Sequence, residues 1–585
     1  MKTCRFVSSV LLVAALAFSC DPVNPDNPGG GGQTKPEDER VDVINGTTIE
    51  EGMTAVGLVS DASTGKGIAG IPVTDGYAYY TTDANGVYQF SANRYTRKVY
   101  LSVPANYAIP LDPDTHLPLF YSTKTFDKNK VNRNDFVLTP QAVENKFTLI
   151  MIGDPQCQNA SQINRYSTET VPSMLSTLNQ GISEGRYPNP YGITLGDIVF
   201  DSTDLWGDMK KTMSNLKLNN GNWFPIFQCI GNHDHNSLEQ NSDYDATGKY
   251  VEFFGPTDYS FDRGQAHIVV MDDIQCTKVS SNSSPNRYTW GYNAGFTKIQ
   301  YNWFKEDIDR VADKANKIVV LCMHIPMRSG ASSGGTSFNT DAFYKDVLTL
   351  LRGFKEAHIM IGHTHYQQNY IHTSYVCKGG KPIYEHVHGA ACGGWWSCDS
   401  NVTGAPNGYT VYEVDGSTIS NWVLTGTKTV PGYQLRVYDG DQIYSGSRGY
   451  EYAWNRSSNV GGSSNITAKG NASFKNAFVA EVFNDDDTNW KLEMYQDGTK
   501  IGDFKRLANG GSCNVCITSY FFNELGKNTD TWVNKTASHY WYFVPASKKP
   551  SSEKNWEVRA TQTIPGSGKT NVYACGVLTT DYSEF

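Results

Sequence analysis

"KFTLIMIGDPQC", residues 146–157, drives an apolar run straight into Gly153, Asp154, Pro155 and Gln156. A short continuous apolar run that ends in turn residues fits a strand buried on both faces. A carboxylate at the end of such a strand is costly unless something pairs with it. The same rhythm recurs downstream in "YGITLGDIVF", "FPIFQCIGNHD", "HIVVMDD", "IVVLCMHIP" and "HIMIGHTH". Helical patterns separate several of these runs, as in "TETVPSMLSTLNQGI" and "TKIQYNWFKEDIDRVADKA". The fold class read from this alternation is α/β, and in such folds ligands sit at the carboxyl ends of the strands.

Those ends carry chemistry. They offer Asp154, Asp197 in "LGDIVF", Asn232, His233 and Asp234 in "IGNHDH", His324 in "CMHIP", and His363 and His365 in "IGHTHY". Any one of them alone reads as a satisfied core polar group. Together at one sheet edge they form a set of oxygen and imidazole donors, which suits a first-row divalent ion such as Mn, Fe or Zn.

In this order, "GD", "GNHD", "H" and "GHTH" resemble the motifs of the calcineurin-like metallophosphoesterases, over the middle part of the chain only. The resemblance implies a four-layer αββα sandwich with two divalent metal ions at the sheet edge. It implies hydrolysis of a phosphomonoester or phosphodiester by a metal-bridging hydroxide. Asp197 is then the bridging ligand, Asp154 and His365 bind the first ion, and Asn232, His324 and His363 bind the second. His233 is the non-ligand histidine beside the leaving group, with Asp234 orienting it. The physics agrees: a carboxylate has two oxygens and spans two cations ~4 Å apart, the spacing that suits in-line displacement at phosphorus.

The first motif departs from the family pattern, Asp-x-His, by carrying Gln156 in place of the histidine. An amide oxygen is a weaker, harder ligand than imidazole. Two readings stay open: Gln156 ligates and shifts preference toward Mn or Mg, or it hydrogen-bonds the bound water. Phe200 stands where a second acidic residue is usual, and Asp201 follows it. Trp395 and Trp396 in "HVHGAACGGWWSCDS" offer an aromatic wall for a substrate. His235 and Arg328 are further candidates for contacting its phosphate, while His386 and His388 read as structural.

Outside residues 143–428 the chain is strand-like. Residues 46–142 read as a small antiparallel β-sandwich, with "DANG" at 83–86 as a hairpin signal. The stretch "TGKGIAGIPVTDG" to "TTDANGVYQF" resembles the carboxypeptidase regulatory-like modules, whose usual role is spacing or docking. Residues 429–585, rich in Trp, Tyr and Val, read as a second, C-terminal β-sandwich.

The first nineteen residues fit a secretory signal peptide, with Lys2 and Arg5 ahead of an apolar stretch. "LAFSC" resembles a bacterial lipobox, which makes Cys20 a lipidated membrane anchor, and residues 20–45 a flexible tether of Pro, Gly and charge. The expected location is outside the cytoplasm, as a periplasmic, outer-membrane or cell-surface lipoprotein. A net charge of −9 with no basic run argues against nucleic acid as a partner. Cys513 and Cys516 form a lone CxxC without the second pair that zinc would want, and Cys392 and Cys398 are spaced for a local bridge. Two functions compete: a phosphoesterase acting on a phosphate ester, or an envelope docking module with a vestigial metal domain.

Overall fold

The computed structural model describes residues 42–236, 242–278, 290–328, 338, 341–445, 472–507, 515–527, 539–547 and 549–585. The signal peptide, Cys20, almost all of the tether and Cys513 lie outside the described residues. Among the described residues no helix is long and apolar enough to cross a membrane.

The opening run forms the strand Lys146–Ile152, central in a five-stranded mixed sheet. Pro190–Leu195 and then Ile226–Cys229 add to one side in parallel, and Gly408–Asp415 and Thr418–Gly426 add to the other antiparallel. Phe147, Leu149 and Met151 join the cluster that holds the core of a second sheet. Ile150 and Ile152 join a different cluster with Ile163, Met174, Leu178, Trp206 and Met209 from the helices. Both faces are therefore covered, which is why the sequence reads as continuous apolar residues and not as an alternation.

The second sheet has six strands, ordered Tyr259–Arg263, Ala266–Val270, Ile318–Cys322, Glu356–Ile361, Pro382–Val387, Gln368–Val376. The four from Ala266–Val270 to Pro382–Val387 run parallel. The helix expected at "TKIQYNWFKEDIDRVADKA" spans Lys298–Arg310, and Thr297 caps it through a reciprocal bond with Gln300. It buries Trp303, Phe304 and Ile308 in the core of the second sheet.

The N-terminal segment differs from the antiparallel reading in two ways. Its strand Ala55–Asp61 pairs parallel with both Asn132–Arg133 and Phe136–Leu138. The turn at 83–86 forms, with Gly86 at φ +79° and its N–H bonded to Asp83 at 3.0 Å, but it does not close a hairpin. Tyr79–Thr81 and Val87–Phe90 leave it into different sheets. The turn chemistry is local and was readable; the partners of the strands are not local.

The segment has only a small cluster of its own, Ile44, Val56 and Val87, and most of its apolar residues join the core of the second sheet. Val59, Val73, Tyr100 and Leu138 belong to the same cluster as Ile268 and Val320. Trp303 Nε1 donates to Thr74 Oγ1 at 3.0 Å, and Tyr79 donates to Asp307 at 2.7 Å. His267 completes that junction. Its Nδ1 lies 2.7 Å from Asp262 and its Nε2 2.9 Å from Asp307. Burial works to lower its pKa, but the two carboxylates outweigh this and raise it to about 10. The folded pKa is the higher one, so the stabilisation is complete below the unfolded value of ~6.5 and is lost as pH rises toward the folded value. The urea midpoint is expected to fall between neutral and strongly alkaline pH in the wild type, and to change less over that window in His267→Gln.

At the other end, two four-stranded antiparallel sheets share one cluster, including Val437, Ala480 and Trp541 from one and Leu492, Met494 and Val558 from the other. The helix Val515–Asn523 accompanies them, which the strand pattern did not suggest. Cys392 and Cys398 are both free thiols, so the local bridge is absent.

Candidate metal centre

Each strand end named from the sequence arrives at one place. Asp154 follows Lys146–Ile152, Asp197 follows Pro190–Leu195, Asn232 follows Ile226–Cys229, His324 follows Ile318–Cys322, and His363 and His365 follow Glu356–Ile361. Asp154, Gln156, Asp197, His363 and His365 all have left-handed backbone, with φ between 38° and 68°. For residues other than glycine that conformation costs about 1–3 kcal/mol each and persists only where the surroundings enforce it, typically at functional sites. Two glycines make the closeness possible. A Cβ on Gly231 would stand 2.1 Å from the Asp197 nitrogen, and one on Gly196 2.4 Å from His324 Nδ1.

On one side, Asp197, His324 and His363 place donor atoms within 4.8 Å of one another. The Leu195 carbonyl takes a hydrogen bond from His324 Nδ1 at 2.7 Å, which turns Nε2 toward the cluster. That Nε2 is 3.0 Å from Asn232 Oδ1 and 3.2 Å from His363 Nδ1. Burial opposes a charge on His324, yet Asp197 and Asp154 raise its pKa to about 10. The cluster draws positive charge, as a cation site must.

On the other side, Asp154, Asp197 and His365 form a second such group, with Asp197 common to both. Gln156 donates from Nε2 to Asp197 Oδ2 at 2.9 Å. A carboxylate only accepts, so the amide nitrogen must face it and the carbonyl oxygen must face away. That Oε1 is buried with no hydrogen-bond partner in the protein, and so is Nδ1 of His365. Unpartnered buried acceptors are rare without a ligand to satisfy them. These residues fit two divalent ions. Gln156→Ala is expected to weaken one of two Mn²⁺ sites by about 10–100-fold and to leave the other unchanged, as read by calorimetric titration.

His233 keeps a quarter of its side chain exposed, and its Nδ1 lies 2.8 Å from Asp201 Oδ1. Phe200 stacks on the ring at 4.1 Å between centroids. Burial lowers the pKa of His233, but Asp197 and Asp201 more than offset it, and the net shift is upward. The orienting carboxylate is therefore Asp201. Asp234 instead accepts from the backbone N–H groups of Ile198, Val199 and Gly231 at 2.9–3.1 Å, tying two ligand loops together. The resemblance gives the orienting place to Asp234; here that carboxylate is taken up by backbone N–H groups, and Asp201, four residues after Asp197, meets the ring.

The aromatic pair divides. Trp395 is partly exposed, with its ring 4.5 Å from that of His365. Trp396 is buried in the helix-side cluster and donates from Nε1 to the Pro155 carbonyl at 2.9 Å, so it supports the first ligand loop and has no free face for a substrate. His235 is also buried, and both of its nitrogens face protein groups, Gly231 and Asp272. Arg328 is exposed, and its backbone N–H donates to Glu385. His388 bonds the Ile361 carbonyl and the Tyr412 hydroxyl, and His386 bonds His358, so both are part of the interior. Tyr292 meets the His363 ring edge-on at 6.0 Å, a neighbour that no motif announced.

A model described as calcineurin-like phosphoesterase matches residues 147–367. Companion models for the N terminal and C terminal of calcineurin-like phosphoesterase match residues 53–141 and 385–565. No curated protein matches the chain. Among solved structures, it is similar to a purple acid phosphatase from yellow lupin (Lupinus luteus) seeds, at 13% identity and TM-score 0.28, covering 49% of this chain and 46% of that one. It is similar to a dimetal phosphatase from Danio rerio, at 14% identity and TM-score 0.27, covering 46% of this chain and 92% of that one. It is also similar to the NAD nucleotidase of Haemophilus influenzae, at 10% identity and TM-score 0.23, covering 48% of this chain and 49% of that one. The chain thus spans about half the length of the first and third.

Proposed function

The chain belongs to the calcineurin-like phosphoesterases; from that premise we propose that it is a metal-dependent phosphoesterase that uses two metal ions to hydrolyse a phosphomonoester or phosphodiester outside the cytoplasm. The observation that carries this reading is Asp197, whose carboxylate belongs to both donor groups at once. Asp154, His365 and the Gln156 oxygen complete the first site; Asn232, His324 and His363 complete the second. Bound there, divalent ions supply Lewis acidity toward the phosphoryl oxygens and lower the pKa of water.

The chain's own residues do the rest. Asp201 holds His233 by Nδ1, which leaves Nε2 to give a proton to the departing oxygen. The upward pKa shift favours the protonated form that this role needs. Trp395 supplies an apolar wall beside His365 for the part of the substrate that leaves. The scaffold we infer is a four-layer αββα sandwich over residues 143–428, with β-sandwich domains on either side. Its two mixed sheets and their helix-side cluster support that reading.

The test is Mn²⁺-, Fe²⁺- or Zn²⁺-dependent hydrolysis of p-nitrophenyl phosphate and bis-p-nitrophenyl phosphate, with Asp197→Ala as control. The ratio of the two rates separates monoesterase from diesterase. Wild-type rates no higher than the control with every metal would leave the docking-module reading in possession. For location, the signal-like residues 1–19 and the tether after Cys20 support a lipid anchor. Cys20→Ser is expected to move the protein from the membrane fraction to the soluble one.

A further inference from the structure

A third group of ligating side chains lies outside both donor groups described above. His235, Asp243 and Cys276 each place a donor atom within 4.8 Å of the others. They come from three elements: the turn after Asn232–Asp234, the first residue of the helix Asp243–Phe254, and the strand Ile274–Lys278. Asp272, just ahead of that strand, brings its Oδ2 to 3.4 Å from His235 Nε2.

The hydrogen bonds around the group orient it. The Gly231 carbonyl accepts from His235 Nδ1 at 2.9 Å, which turns Nε2 toward the group. That Nε2 is buried and has no hydrogen-bond partner. One oxygen of Asp243 takes the Cys276 N–H at 2.7 Å, and one oxygen of Asp272 takes the Ile274 N–H at 3.0 Å. Asp243 is left with one oxygen free for a ligand, while the second oxygen of Asp272 faces His235. A backbone carbonyl behind the histidine and backbone N–H groups behind the carboxylates are what holds the donors of a metal site in place.

Charge and access agree. Asp258 accepts the Asp272 N–H at 3.0 Å, so three carboxylates crowd a region that holds one imidazole. Burial and Asp272 together raise Asp243 to about 6, the cost of gathering acids without a cation. Asp243, Asp258 and Asp272 also line an open cavity of about 340 Å³, so the carboxylate side of the group borders solvent-accessible space.

We propose that His235, Asp243 and Cys276 form a third metal site, suited to zinc, separate from the dinuclear centre, with Asp272 beside His235. One nitrogen, one sulfur and one carboxylate oxygen supply three of the four ligands zinc takes, with water for the fourth. Zinc displaces the Cys276 proton to solvent on binding. Its role is structural: it pins the turn just after Asn232 and His233 to the helix and strand beside it.

The full-length protein, stripped by chelator and reloaded with Zn²⁺, is expected to hold three ions per chain by mass spectrometry of metals. Cys276→Ser and Asp243→Asn are each expected to hold two. Loading with Co²⁺ is expected to give a thiolate-to-cobalt absorption band in the near ultraviolet, kept in His363→Ala and absent in Cys276→Ser. No cysteine stands in the dinuclear centre, so this band is independent of the proposed function and survives its failure. A wild type without the band, or a folded Cys276→Ser with unchanged metal content, overturns the proposal and leaves His235 and Asp272 as a buried ion pair. Should Cys276→Ser fail to fold, the wild-type cobalt spectrum decides alone.

Discussion

Asp197→Ala is expected to lower kcat/KM by at least about 10³-fold for any phosphate ester the protein hydrolyses. The size follows from position. Asp197 is the one carboxylate that belongs to both donor groups among the described residues, so its loss weakens two sites, whereas loss of His365 or His363 weakens one. It also takes the His233 N–H at 2.9 Å and the Gln156 amide at 2.9 Å. Removing it frees both ligand loops. Metal analysis of the purified variant is the direct check: fewer than two ions at the centre should accompany the loss of rate. A variant that kept both ions and its activity would show that the bridge is not where the geometry puts it.

His233→Ala is expected to lower kcat by about 10²–10⁴-fold and to change KM little, since in the proposed mechanism the ring acts on the leaving oxygen and contributes little to ground-state binding. The loss should depend on the leaving group. Phenol leaves less readily than p-nitrophenol and needs the proton more, so phenyl phosphate should lose more rate than p-nitrophenyl phosphate. Asp201→Ala should reproduce the same leaving-group trend at a smaller size, since it removes the partner that positions the ring and leaves the ring itself. Metal content should stay at the wild-type level in both variants. If the loss were the same for both leaving groups, His233 would be acting on the phosphoryl group and not on the departing oxygen.

The convergence of the candidate metal residues was legible because nearly all are the first polar chemistry after an apolar run, and a strand buried on both faces has only its end to offer. Asp154, Asp197, Asn232, His324 and His363 obey that rule, and His365 comes two residues after His363. What surrounds them did not follow from order along the chain. Asp201 reaches His233 through a left-handed turn that no residue pattern specifies. Trp396 looked like its neighbour Trp395, but they diverge because one side chain points under the Pro155 loop and the other toward His365. The Cys276 group escaped notice because its members are far apart in sequence and each is ordinary in its own setting. The turn at 83–86 was readable, whereas the choice of sheet on either side of it rests on contacts made by strands that the turn does not touch.

The shared core at the N-terminal junction bears on how such a chain can change over time. Residues 55–138 contribute to the same apolar interior as the second sheet, and the contacts run through Trp303, His267 and Asp307, on elements that lead toward the catalytic loops. A segment attached by a tether can be lost, swapped or duplicated without harm to its neighbour. A segment that forms one wall of its neighbour's interior cannot. The catalytic block and its N-terminal companion must therefore be inherited together, and a recombination breakpoint between them would leave an apolar sheet face open to water on one side and an unfolded remnant on the other.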